Sequence, residues 1–163
     1  MKEWYPYSRV VYLSEFTLGA ALSTLAGIAL CDLGEPLVID LADIEFTVDE
    51  FSIVEAFSRE SCVGAIALTF ASESKAYSYI KEDGGKFIEA VEKDVISQHA
   101  SVGVYIYRNP LVFLSAFQKT LAGEIDYRHN GLHYVCPIFN GIKTMGLEVR
   151  RVSCDLVRDV KAG

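Results

Sequence analysis

The period of hydrophobic positions changes several times along the chain, and each change marks an element. Residues 9–13, RVVYL, are a short β-branched and aromatic run closed by Ser14 and Glu15, which predicts a strand. Residues 19–30 are almost wholly small and apolar, with Thr17 or Ser14 placed to cap them and Gly34 to stop them. That pattern predicts a helix packed closely on a sheet. Residues 36–43, PLVIDLAD, and 62–70, CVGAIALTF, are nearly unbroken apolar runs of the kind buried inside a parallel sheet. Between them, Thr47-Val48-Asp49-Glu50 has the spacing of a capping box and predicts a helix to about Glu60, with Phe51, Val54 and Phe57 on one face.

The second half is punctuated more sharply. Two β-prone runs, 76–81 and 86–92, flank Asp83-Gly84-Gly85, which supplies the positive φ of a tight hairpin. Residues 100–107 alternate as a strand interrupted by Gly103, a mark of a bulge or of close approach by another backbone or a ligand. Asn109-Pro110 opens a helix carrying Val112, Phe113, Ala116, Phe117 and Leu121 at helical spacing. A further helix over 134–144, closed by Gly146, leads to a last strand at 147–152, after which the polar tail is expected to fray. The alternation predicts one three-layer α/β domain over 1–163, with a mostly parallel central sheet, helices on both faces and a protruding hairpin at 76–92.

Charge narrows the partners. A net charge of −7 disfavours nucleic acid and anionic membranes as ligands. No apolar run reaches the roughly 18 residues of a membrane span, and residues 1–13 lack the basic and apolar regions of a leader, so the expected compartment is cytoplasmic. Cys31, Cys62, Cys136 and Cys154 are scattered and read as free thiols. His129 and His133 are separated by Asn130-Gly131, which argues against a paired metal site, and there is no G-x-S-x-G elbow.

Candidate chemistry lies in three places. The turn at Thr17 and Gly19 precedes a helix whose first backbone N–H groups could face an anion or a base. Asp40 and Asp43 close an apolar strand, where ligands of open α/β sheets gather, and are candidate carboxylates for Mg²⁺, Asp43 before Asp40. Glu92, Lys93 and Gly103 combine a charge pair with a glycine-bearing strand.

These segments, in order, carry a resemblance. T-L-G-A-A-x-x-T-L, then PLVIDLAD, the hairpin, E-K-x-x-I-S-x-H-A-x-x-G-x-Y-x-Y, and NGLHYVCPIFNGIKTMG are similar to the middle and later parts of bacterial sugar-phosphate nucleotidyltransferases, over roughly residues 17–152. The resemblance implies a Rossmann-like fold and the joining of a nucleoside triphosphate to a sugar 1-phosphate with release of pyrophosphate, in nucleotide-sugar supply for surface polysaccharides. It implies Thr17 and Gly19 beside the nucleotide base, Asp43 as Mg²⁺ ligand, and Glu92, Lys93 and Gly103 on the sugar phosphate, with Asp43 and Lys93 serving the chemistry. Two departures accompany it: the glycine-rich G-x-G-x-R loop that holds the triphosphate is absent, and Leu132 stands where a carboxylate is expected. They predict a truncated or diverged relative, with a homo-oligomer or partner chain completing it. The alternatives are a catalytically inactive binding or regulatory protein and a protein-interaction domain without a small ligand.

Overall fold

A computed structural model describes residues 6–50 and 52–160. Its central feature is a six-stranded mixed sheet, in which β3 (Val63–Ala71) and β6 (His99–Tyr107) are the innermost strands. On one side of β3 lies β7 (Glu148–Ser153), paired in parallel. β6 runs antiparallel to β3 and on its other edge meets two strands in succession. β1 (Leu37–Asp40) pairs with residues 104–107 of β6, and β4 (Ser78–Asp83) pairs at Ala100. β5 (Lys86–Glu92) completes the hairpin through Gly84 and Gly85, both at positive φ.

Helices cover one face. α1 (Ala20–Ile28), α3 (Pro110–Leu121) and α4 (Phe139–Thr144), the last preceded by a 3₁₀ turn at Cys136–Ile138, form a core with Leu37, Ile39, Ala65, Ala67, Tyr105 and Tyr107. The small residues on β3 let this layer approach closely. Between the helices themselves, a Cβ on Gly141 would lie 1.9 Å from the Ala116 carbonyl oxygen, so α3 and α4 touch backbone to backbone. On the opposite face α2 (Ile53–Arg59) and a second sheet, β2 (Ile44–Thr47) paired antiparallel with β8 (Asp155–Asp159), enclose Ile66, Leu68, Phe70, Val102 and Ile106. Period-2 alternation along β3 thus sends alanines to the helices and bulky side chains to the other layer.

The three-layer α/β class, the hairpin, β3, β6, β7, α3 and α4 agree with the sequence reading, and Val38 and Ile66 share one sheet. Several expectations are corrected. The sheet was expected to be mostly parallel, yet only the β3–β7 ladder is; β1, β3, β4 and β7 run one way, but β6, running the other way, stands between most of them. β1 pairs only with β6 among the described residues and buries alternate side chains, so it is an edge strand whose Val38 is exposed. Residues 9–13 form no strand and lie exposed.

The helix after residue 47 begins later than expected. Thr47 closes β2 opposite Asp155, and the capping residue is Ser52, whose hydroxyl accepts the Glu55 N–H at 3.2 Å. Val54 faces solvent while Phe57 is buried, and Phe51 lies outside the described residues. Residues 155–159 of the tail are strand because β2 offers them an edge. The hairpin is the margin of the sheet and does not stand free: Tyr79, Ile80 and Ala90 are fully buried.

Candidate functional site

The two strands that share one edge of β6 leave a gap between them. β1 ends at Asp40 opposite Val104, and β4 meets β6 at Tyr79 opposite Ala100. One further bond, from the Leu41 N–H to the Gly103 carbonyl at 3.1 Å, closes the β1 side. Over Ser101 and Gly103 the edge opens into a cleft of about 620 Å³. The loop leaving β1 supplies Asp43, the end of β5 supplies Glu92 and Lys93, the approach to β4 supplies Tyr77 and Ser78, and β8 supplies Asp159. Tyr134 and Val135, with Ala20 at the start of α1, line it from the helical side.

Gly103 is required here for two reasons. It sits at φ +79°, in a stretch of β6 where the pairing with β3 slips between Ala67 and Thr69. A Cβ on it would lie 3.0 Å from Asp43 Oδ1, so the carboxylate rests against bare backbone. Asp40 does something different: its Oδ1 accepts the Ala42 N–H at 2.7 Å, an Asx turn that, with Ala42 at φ 56°, carries the chain around to Asp43.

The opposite wall is set by the end of the hairpin. Glu92 lies opposite Ser78, whose hydroxyl donates to Glu92 Oε2. Lys93 adopts φ 56°, rare for a residue with a side chain, and its N–H is held by the Tyr77 carbonyl at 3.0 Å. The Lys93 ammonium lies 5.9 Å from the centre of the Tyr134 ring. Tyr77 donates its hydroxyl to Asp159 Oδ2 at 2.7 Å, and this bond, followed by burial and the carboxylate's charge, pushes the phenol up to about 12. Burial, then the negative charge of Glu92, raises the thiol of Cys136, which lies fully buried in the core and stays neutral.

Asp43, Glu92, Lys93 and Gly103 are thus brought together in one cleft. Thr17 and Gly19 are not among its lining residues. Gly19, at φ 113°, caps α1 where a Cβ would strike the His133 backbone, its oxygen at 2.2 Å, and the Ala21 N–H already donates to that carbonyl at 3.1 Å. The Thr17 hydroxyl bonds to the Gly19 carbonyl at 3.0 Å and pairs with Ser23. Sequence reasoning missed Tyr77, Asp159 and Tyr134. Asp159 belongs to a tail too polar to suggest a strand, and its one signal is the apolar pair Leu156-Val157 between charged residues.

No family model and no curated protein matches the sequence. Solved structures match the fold. A nucleoside-diphosphate-sugar pyrophosphorylase from Vibrio cholerae RC9 aligns with a TM-score of 0.72 at 19% identity, over 86% of this chain and 59% of its own. A protein assigned as a glucose-1-phosphate thymidylyltransferase from Bacillus anthracis, in complex with sucrose, aligns with a TM-score of 0.63 at 20% identity, over 85% of this chain and 54% of its own. The fold is that of the sugar-phosphate nucleotidyltransferases. The chain spans a little over half the length of these two structures. On this nucleotidyltransferase fold the cleft lies where β6 passes from β1 to β4, and no helix among the described residues is long and apolar enough to cross a membrane.

Proposed function

We propose that the cleft binds the sugar-phosphate part of a nucleotide-sugar and serves nucleotidyl transfer from a nucleoside triphosphate to a sugar 1-phosphate. The observation that supports this reading is the convergence of Asp43, Glu92, Lys93 and Gly103 on the open edge of β6. Each residue type suits the task. Glu92, oriented by Ser78, is an acceptor for sugar hydroxyls. Lys93 is a point charge for a phosphate, and the absence of a Cβ on Gly103 lets a ligand approach the strand. The turn at Thr17 and Gly19, next to Ala20 in the cleft wall, would lie beside the base.

The residue types of the cleft make a cation part of the reading. Asp43, Glu92 and Asp159 bring carboxylates to it among the described residues. Among the described residues no three His, Cys, Asp or Glu side chains form a metal cage. This donor set fits Mg²⁺ nonetheless, since that ion takes one or two carboxylates and completes its shell with water and phosphate oxygens. Asp43 and Asp159 would hold it, and bound there it would neutralise phosphate charge. The protein's own part is positioning: Lys93 and Glu92 orient the sugar phosphate for in-line attack of its oxygen on the α-phosphorus, with pyrophosphate leaving.

The sequence contains no G-x-G-x-R. In this reading the groups that hold the triphosphate come from a longer chain or a partner, a second copy included, and the use of nucleoside triphosphates puts the protein in the cytoplasm. The missing loop also favours a second reading, a catalytically inactive relative that binds a nucleotide-sugar as a regulator of polysaccharide synthesis.

Calorimetry tests the shared core of both. Lys93→Ala should weaken glucose 1-phosphate or a nucleotide-sugar about 10–150-fold in the presence of Mg²⁺, because a hydrogen bond to a charged group contributes roughly 1.5–3 kcal/mol. Its binding should also depend less on salt. Release of pyrophosphate on adding triphosphate separates enzyme from binding protein. Equal affinities for wild type and Lys93→Ala would reject the site, and no binding at all would favour an interaction domain.

A further inference from the structure

The margins of the main sheet are finished in different ways. At β5, Asn140 bonds to Ala90 and the Lys143 ammonium donates to the Ile88 carbonyl at 2.9 Å, so side chains already occupy that edge. At β7, Glu148, Arg150 and Arg151 set charges along the strand, a common protection against unwanted pairing. β1 has neither device. It reads Leu-Val-Ile-Asp, pairs only with β6 among the described residues, and leaves Val38 48% exposed. The Leu41 N–H points to the Gly103 carbonyl on β6, so by the alternation of strand backbone the N–H and C=O groups of Val38 and Asp40 point outward.

The same chain carries an apolar stretch that joins no strand. Residues 9–13, RVVYL, have a strand's composition and are exposed throughout, Tyr12 at 89%. They lead to Leu18, whose carbonyl accepts the His133 N–H at 2.8 Å. Eleven of the twenty-one large apolar side chains exposed among the described residues fall within 7–41. The bare apolar surface is therefore concentrated on this arm and on the path from α1 through β1.

We propose that the outer edge of β1 receives residues 9–13 of a second copy of this chain as an antiparallel strand, the two copies exchanging arms. Each copy has one arm and one edge, so the contact is made twice and closes a two-fold dimer. Charge and pattern set the register. With Arg9 opposite Asp40, unlike charges meet and Val11 lies opposite Val38 on the same face, while Val10 and Tyr12 fall beside Ile39 and Leu37 on the helical face. The backbone agrees, because Arg9 and Val11 then meet the outward groups of Asp40 and Val38. A slip of one residue would turn Arg9 to the apolar face. Residues 7–18 and 30–41 together make about two dozen positions a side, within the roughly 20–30 of a stable interface.

The test is sedimentation equilibrium of the full chain, joined to oxidative cross-linking in a Cys31→Ser, Cys62→Ser background that removes the two exposed thiols. Wild type should sediment as a dimer at micromolar concentration. Val11→Asp, which sets a carboxylate beside Asp40 and lies outside every described helix and strand, should raise the dimer dissociation constant at least tenfold. Val11→Cys and Val38→Cys, mixed as separate chains with their folding checked by circular dichroism, should form a disulfide identified by peptide mass. Residues directly opposed in this way have Cα atoms about 5.5 Å apart, inside the range a disulfide spans. Val11→Cys mixed with Val54→Cys, also exposed, should form none. A wild-type monomer would overturn the inference, as would a dimer that Val11→Asp leaves intact or that gives no Val11–Val38 link between folded chains. A disulfide closing within one chain of the Val11→Cys, Val38→Cys double variant would assign the edge to the protein's own arm and overturn it too. Should Val38→Cys not fold, the response of the dimer to Val11→Asp decides. None of these outcomes depends on what the cleft binds.

Discussion

Two residues of the cleft have left-handed backbone, and they carry opposite expectations. Gly103 has the freedom its position demands, and Lys93 does not. Gly103→Ala should lose about 1–2 kcal/mol, the cost of a side chain at positive φ, and should displace Asp43, which lies 3.0 Å from the new Cβ. Lys93→Gly should leave urea stability unchanged or raise it by up to ~1 kcal/mol, while sugar-phosphate affinity falls. A clear stability loss in Lys93→Gly, or none in Gly103→Ala, would contradict this account. Of the pair, Gly103 was legible in the sequence, because a glycine inside a strand is conspicuous. The strain at Lys93 was not, because nothing in Glu92-Lys93-Asp94 announces that the hairpin must turn there to meet the Tyr77 carbonyl.

Elements were legible where local signals had no rival. Asp83-Gly84-Gly85 and Asn109-Pro110 each have one good structural solution, and both were realised, with Asn109 Oδ1 accepting the Val112 N–H at 2.9 Å. The start of α2 was expected at Thr47-x-x-Glu50, and the structure starts it at a second stretch of the same spacing, Ser52-x-x-Glu55. The second won because β8 engages Thr47 in a ladder, and that partner lies more than a hundred positions away, beyond the reach of any local pattern. The outer edge of β5 shows a related long-range device. Asn140 on α4 accepts the Ala90 N–H at 3.0 Å and donates to the Ala90 carbonyl at 2.7 Å, standing in for a neighbouring strand. Asn140→Ala should unpair both buried groups and cost about 2–6 kcal/mol in chemical denaturation, at roughly 1–3 kcal/mol for each. A loss under 1 kcal/mol would mean that water replaces the side chain.

At the scale of the molecule, a sheet packed on both faces couples local titration to global stability. Strand direction was the property least visible in the sequence, since nothing in residues 99–107 says that this strand returns between two others, yet its placement gives His99 its surroundings. His99 opens β6 beside β3, half-buried, near Arg151, which donates to Glu82 Oε2 at 2.6 Å. Burial, then the positive charge of Arg151, lowers the imidazole below its ordinary value of 6.5, against a smaller opposing effect of Glu82. A base whose folded pKa is lowered binds fewer protons in the native than in the unfolded state. Its effect on stability is therefore nil at high pH, and stability falls as the pH drops from about 6.5 toward the folded value. The urea midpoint of wild type should decrease between pH 7.5 and pH 5.5, and His99→Gln, which cannot take a proton, should decrease less. An equal fall in both proteins would show that His99 does not carry the loss, and a smaller fall in wild type than in His99→Gln would show that the charge of Glu82 outweighs burial and Arg151 at this corner of the sheet.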